Sequence, residues 1–370
     1  MKRSRDPKMT RDTKVQSPNP PVDHGPTRFE PSLSTVLTRK AEILVCPACG
    51  GNLRLYTEYV KCSSCAHVFA FDEDIPQLFW GNDWSNSKSD VTEEMRAFYE
   101  ATPFPNYDDL DSSTSLREKA SRGFFARLLD EQIPHGASVL EAGCGTGQLS
   151  NFLGMTWGRS VFGADLCLNS LKLAQRFRKQ NQIENVCFIQ MNLFKPVFKP
   201  RSFDLVVSNG VLHHTSNPFL AFQSIAKLVK RGGFIVIGLY NKYSRLTTDF
   251  RRLVFRISGD RFKFLDPRLR GPKSTDAIEV RKHTWFMDQY KNPHESKHTI
   301  GEVQRWFESS GFEFVNSIPK SGGELFGRDE KLFASNPKGT RFDHFLVQAG
   351  DLLSGGRDGG FFIMIGRRIS

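Results

Sequence analysis

A doubly wound α/β fold with a mostly parallel sheet is the class predicted by three observations. Five short apolar runs, at residues 138–142, 161–165, 186–190, 203–208 and 234–240, alternate with helix-period segments, the rhythm of parallel strands joined by crossover helices. The first run passes directly into Gly143, Gly145 and Gly147, a tight strand-to-helix turn where the backbone takes positive φ and can approach a ligand closely. After an interruption over residues 241–300 the chain closes on helix, strand, helix, strand. Ligand belongs at the carboxyl ends of such strands.

Residues 1–40 mix Pro, Ser and basic side chains without a period and are expected to be a disordered basic tail. Within residues 41–80, Cys46 and Cys49 form one C-x-x-C pair and Cys62 and Cys65 a second, twelve residues on. That spacing brings four thiolates within reach of one tetrahedral Zn²⁺ on a short hairpin, and a closed shell of four sulfurs makes the metal structural. His67 is a spare ligand that a filled shell does not need. Residues 81–91 are polar and read as a linker.

A helix is expected from Thr92, followed by the aromatic stretch 98–107, in which Pro103 and Pro105 end the helix. Tyr99, Phe104 and Tyr107 then either line a ligand pocket or strap the core. A helix over 115–132 precedes the first strand. The second strand ends on Asp165, an acid placed to accept both hydroxyls of a ribose, as nicotinamide sites also do. Helices over 168–179 and 218–229 flank the third and fourth strands, and a Lys-Arg-Gly-Gly turn at 230–233 leads to the fifth.

The glycine turn reads E-x-G-x-G-x-G from Glu141 to Gly147 rather than the dinucleotide G-x-G-x-x-G. It resembles motif I of class I S-adenosylmethionine (SAM) methyltransferases. Phe203 to His214 reads F-D-x-V-x-x-x-x-V-L-H-H and is similar to motif IV of the small-molecule members, including those of quinone biosynthesis. The resemblance spans residues 92–370 and implies a seven-stranded Rossmann-like sheet whose last strand is antiparallel. It implies that Gly143, Gly145 and Gly147 hold the methionine end of SAM and that Glu141 orders the turn. Asp165 holds the ribose, Asn192 contacts adenine, and Ser208 joins the cofactor contacts. His213 or His214 becomes a candidate general base. Residues 43–78 resemble the small zinc-ribbon proteins that partner RNA and protein methyltransferases, and ribosomal RNA guanine methyltransferases carry such a ribbon at the N-terminus.

Residues 241–300 follow the fifth strand and so belong at the mouth of the site as the substrate-binding element. Asp288, His294, Glu295 and His298 offer acid–base groups there, and Trp285 and Tyr290 a flat apolar wall. The net charge of +11 is uneven: residues 242–282 carry twelve Lys/Arg against five Asp/Glu, and residues 1–40 nine against four. The small-molecule motif and the aromatic insertion favour a small or lipid-like acceptor; the ribbon and basic segments favour RNA. A SAM-binding module that docks a partner without catalysis is the third reading. No motif specifies an obligate protein partner. No apolar run reaches the roughly 18 residues of a membrane span, and no signal-peptide core is present, which predicts a cytoplasmic protein.

Overall fold

A computed structural model describes residues 33–84, 90–105, 107, 112–270, 276–353 and 360–370. Residues 33–40 are part of the folded core and not of the expected tail, whose residues 1–32 lie outside the described set. Helix α1 (Thr35–Arg39) buries Val36 and Leu37 completely. Ser34 Oγ donates to Val186 O (2.9 Å) and Thr35 Oγ1 to Glu184 O (3.0 Å), which ties this helix to the strand those residues begin.

The cysteine segment folds as a four-stranded antiparallel sheet of β1 (Leu53–Leu55), β2 (Tyr59–Cys62), β3 (Val68–Asp72) and β4 (Ile75–Pro76). So small a sheet cannot cover its own apolar face. Leu44, Leu53, Val60, Phe69 and Leu78 therefore share one core with Ile189, Phe198 and Phe203 of the larger domain. Backbone bonds seal the contact, with Val45 N donating to Val197 O and Lys199 N to Ile43 O, both at 2.8 Å. The segment expected to be a linker is pinned as well. Asn82 is buried, donates to Asp90 Oδ2 and Thr92 Oγ1 at 3.0 Å, and accepts from Asn192 Nδ2 at 2.8 Å. Residues 85–89 lie outside the described set.

Helix α2 (Thr92–Ala101) comes next. The expected helix over 115–132 is two, α3 (Ser113–Arg122) and α4 (Phe124–Gln132), because the chain turns extended at Gly123. Then strands and helices alternate: β5 (Ser138–Ala142), α5 (Gln148–Gly154), β6 (Ser160–Asp165), α6 (Leu168–Gln180), β7 (Val186–Gln190), β8 (Phe203–Asn209), α7 (Pro218–Ala226) and β9 (Val229–Tyr240). The Lys-Arg-Gly-Gly segment is not a free turn. It lies inside β9, at a register shift against β8.

The insertion holds α8 (Leu246–Ser258), α9 (Asp276–Phe286) and a single π-helical turn, Met287–Lys291. The chain closes with α10 (Ile300–Ser309), β10 (Phe312–Ile318), α11 (Arg341–Leu353) and β11 (Phe361–Arg368). Thr299 and Glu302 form a reciprocal capping box at the start of α10. The sheet order is β10-β11-β9-β8-β5-β6-β7, parallel from β9 to β7 and antiparallel around β11. Strands are added outward from β5 first on one side (β6, β7) and then on the other (β8, β9), so a crevice opens at the carboxyl ends of β5 and β8, where the strand order switches. Among the described residues no helix is long and apolar enough to cross a membrane.

Candidate active site

The crevice is a cavity of about 580 Å³ that runs from the glycine turn to the insertion. Gly143, Gly145 and Gly147 all take positive φ (81°, 52° and 68°). At all three the reason for glycine is contact within the chain: a side chain on Gly145 would stand 2.5 Å from the Phe104 carbonyl oxygen, one on Gly143 would collide with Val211, and one on Gly147 with Phe188 and Ala174. The turn thus lets both the aromatic segment and the histidine loop close over it. Its amides are largely spent internally. Gly143 N and Cys144 N donate to Ala164 O (2.7 and 3.0 Å), and Gly145 N donates to Asp165 Oδ2 (2.8 Å). Gly143 and Gly145 border the cavity; Gly147 backs onto Phe188 and Ala174.

Glu141, at the end of β5, is buried and accepts from Ser150 N (2.8 Å) and Ser150 Oγ (2.5 Å), which locks the first turn of α5 to the strand. Burial pushes its carboxyl up to about 7, against those two bonds. Asp165 accepts from Cys167 N (2.9 Å) as well as Gly145 N, and burial raises its carboxyl too. Both carboxyl groups border the cavity. Glu100 of α2 caps α6 by accepting from Leu168 N (2.8 Å) and Asn169 N (3.1 Å), an N-terminal cap supplied from 68 residues away.

Asn192 also borders the cavity, but its amide nitrogen is committed to Trp80 O and Asn82 Oδ1 (both 2.8 Å), and its oxygen accepts from Phe194 N (3.0 Å). Ser208 corrects the sequence reading. It is fully buried under β5, with its hydroxyl donating to Ala142 O (2.9 Å), and it does not reach the cavity.

The aromatic segment divides. Tyr99 and Phe104 line the cavity, whereas Tyr107 stacks on Phe177 (4.5 Å between centroids) and accepts from Asn151 Nδ2, so it straps the core. The insertion divides likewise: Trp285 lines the cavity, and Tyr290 packs with Phe255 and Phe286 inside the insertion's own small core.

Of the proposed acid–base groups, the structure brings His214 and Asp288 to the cavity wall. His214 Nδ1 lies 2.8 Å from His294 O, so it carries the proton and Nε2 keeps its lone pair. Burial lowers its basicity below the ordinary imidazole range, opposed mainly by the charge on Asp288. Asp288 accepts from Tyr99 Oη (3.1 Å) and Gln289 Nε2 (2.7 Å), and burial raises its carboxyl. Tyr99 Oη in turn accepts from Asn292 Nδ2 (3.0 Å).

The other three histidines stand outside. His213 is fully buried against Tyr240 and His214, each 4.2 Å between ring centroids, and neither of its ring nitrogens has a hydrogen-bond partner. His294 Nε2 pairs with Thr215 O (3.1 Å), which braces the loop. His298 bridges Ser296 Oγ and Glu302 Oε1 (2.9 Å each).

Tyr240 and Gln289 are among the cavity residues that escaped the sequence reading. Tyr240 sits at the carboxyl end of β9, a position the ligand rule for such sheets would have flagged. Gln289 ties Asp288 to Tyr240 Oη (2.7 Å) and to Arg245 Nη1 (2.6 Å). Arg245 is itself buried flat over the Tyr240 ring (3.7 Å) and makes a two-pronged pair with Glu295 (3.1 and 2.5 Å). This network fixes the π-helical turn to the strand end.

The sulfur atoms of Cys46, Cys49, Cys62 and Cys65 all lie within 4.8 Å of one another, with 3.7 Å between Cys46 and Cys65 and 3.5 Å between Cys49 and Cys62. Four ligands at a Zn–S distance of about 2.3 Å in a tetrahedron stand about 3.8 Å apart, so the donor set could hold that ion. All four are free thiols, and Ser64 N and Cys65 N both point at Cys62 Sγ (3.3 and 3.4 Å). His67 packs edge-on against Trp80 (4.8 Å), outside the set.

Sheet order and the antiparallel β11 define a Rossmann-like methyltransferase fold. Comparison with known proteins agrees: residues 140–237 match a methyltransferase domain family. The chain is 32% identical to demethylmenaquinone methyltransferase of Lactococcus lactis over 192 residues, 51% of this chain and 71% of that protein. It is 26% identical to an uncharacterized protein of Synechococcus over 282 residues (68% and 67%). To the mitochondrial ubiquinone biosynthesis O-methyltransferase of Dictyostelium discoideum it is 26% identical over 170 residues (44% and 50%). The matches to three ubiquinone O-methyltransferases span 42–50% of those proteins. The chain belongs to the class I SAM-dependent methyltransferases.

Proposed function

We propose that the chain transfers the methyl group of SAM to a small or lipid-like acceptor bearing an ionisable hydroxyl, of the quinone-precursor type. The observation that carries this is the continuity of one cavity between the glycine turn and the His214–Asp288–Tyr99 wall. SAM, when bound, supplies a methyl group already activated on a sulfonium. What remains for the chain is alignment and removal of a proton. In this reading Gly143 and Gly145 would hold the methionine end, Glu141 and Asp165 would offer carboxylates to the ammonium and the ribose, and Asn192 would lie beside adenine. Gly147 and Ser208 support them from behind. His214 Nε2 takes the acceptor's proton, Asp288 steadies the imidazolium, and Tyr99 and Phe104 keep water out. The names of the quinone-pathway relatives support this acceptor class.

The four-cysteine cluster is proposed to hold a structural Zn²⁺, supported by the sulfur spacing and the amides aimed at Cys62. One zinc per chain by metal analysis, lost in Cys62→Ser, is the expected result.

Incubation with methyl-labelled SAM and separated cell fractions tests the acceptor. Label in the lipid extract is expected. Label in RNA instead would assign the basic segments and the ribbon to RNA, and label in no fraction would favour a non-catalytic docking role.

A further inference from the structure

The insertion presents a surface that the cavity does not use. On α8 the side chains of Leu246, Phe250, Leu253 and Ile257 are 52%, 64%, 54% and 78% exposed. Their spacing of four, three and four residues puts them on one stripe of the helix. The opposite stripe is the one that packs: Thr248 and Phe255 are buried, and Arg252 donates to Gln289 O (2.6 Å). The turn after α8 adds exposed Phe262 and Phe264, with ring centroids 5.8 Å apart. Four large apolar side chains in line exceed the scattered exposure normal for a surface.

Charge chooses among occupants. Lys242, Arg256, Arg261 and Lys263 are exposed around this stripe and the turn. The acids of α8 and of the turn after it, as far as Asp266, are neutralised or hidden. Asp249 pairs with Lys297 (2.5 Å) and Asp260 with Lys291 (2.8 Å), lysines from outside the basic segment. Asp266 is buried under Trp285 Nε1 and Tyr290 Oη (2.9 Å each). Aliphatic Leu246, Leu253 and Ile257 offer nothing to RNA, which is read by phosphate contacts and aromatic stacking. An apolar stripe rimmed by cations is the composition of a helix lying in a lipid interface.

We infer that α8 and the turn after it form a docking face for an anionic lipid surface. The same insertion supplies Arg268 and Trp285 to the cavity wall, with the guanidinium 4.1 Å from the indole ring, so a docked molecule holds its cavity beside the bilayer. The docking stands on the surface residues; only its purpose, delivery of an apolar acceptor, rests on the function proposed above.

Flotation of the full chain with vesicles tests it, in the absence of a methyl donor so that either idea can fail alone. The chain is expected to float with equimolar phosphatidylglycerol and phosphatidylcholine and at least about tenfold less with phosphatidylcholine alone. Phe250→Asp/Ile257→Asp should reduce flotation at least about tenfold, and Arg256→Glu/Arg261→Glu should abolish the preference for anionic vesicles. Phe250→Ser/Ile257→Ser serves if the aspartates disturb folding, with SAM affinity and melting temperature as controls. A wild-type chain that stays unbound, variants that float like the wild type, or RNA binding in place of vesicle binding would each overturn the inference.

Discussion

The Nδ1 atom of His214 lies 2.8 Å from the carbonyl oxygen of His294, a residue 80 positions further along the chain. A backbone acceptor cannot titrate, so it holds one tautomer across the working pH range. The insertion thereby sets the tautomer of a side chain on the turn that follows β8.

From this follows an expectation for His214→Ala. Loss of a general base costs about 10²- to 10⁴-fold in kcat, with SAM affinity in calorimetry unchanged. Because burial lowers this imidazole below 6.5, it is neutral and competent at pH 7. The wild-type rate should fall only as pH drops below 6.5, and the variant should lose that acidic limb. An unaltered kcat would remove His214 from proton transfer.

Glu141 gives a prediction of opposite sense. Its carboxyl rises from an ordinary 4.5 to about 7 on folding, so stability from its protonated form is full below pH 4.5 and lost as pH rises through 7. The loss is on the order of 3 kcal/mol. Glu141→Gln keeps an acceptor for Ser150 and should melt higher than wild type at pH 8 without SAM, while binding SAM more weakly. A lower melting temperature at pH 8 would contradict this.

Asp165→Ala should weaken SAM binding by more than about tenfold through the loss of charge-assisted bonds. Asp165 also anchors Gly145 N and Cys167 N, so Asp165→Asn separates the two effects by keeping an acceptor for the turn. Unchanged affinity in Asp165→Ala by titration calorimetry would take this carboxylate out of the site.

Arg245→Ala leaves Glu295 buried without the guanidinium that now holds both of its oxygens. Stranding such a charge costs about 3–5 kcal/mol, read as a fall in denaturant midpoint. Rates should drop as well, since Gln289 loses the guanidinium that fixes its side-chain oxygen and keeps only the bond from its nitrogen to Tyr240 at the end of β9. Arg245→Ala with wild-type stability would show that Arg252, whose Nη2 already bonds Glu295 at 3.2 Å, is enough to hold the charge.

These residues also show where reading the chain stops. The sheet was legible because each strand is a short apolar run bounded by turn formers, and Asp165 because the strand ends on it. His213 and His214 look equivalent as neighbours, yet the tight turn at Leu212–His214 sends one against Tyr240 and the other to the cavity wall. Arg245 counts as surface charge in any tally, but its partner Glu295 is 50 residues away, and no local pattern announces a pair at that distance. Ser208 has the right strand and points the wrong way: successive side chains alternate faces, and its hydroxyl is used by Ala142.

The ribbon's place on the sheet bears on how the protein is made. Gln77 pairs with Gln190 at the far end of β7, and Ser34 holds Val186 at its start, so the open flank of that strand is covered by residues synthesised more than a hundred positions earlier. A ribosome delivers the cover before the strand that needs it. On emergence β7 therefore meets chain that already stands ready along its outer flank.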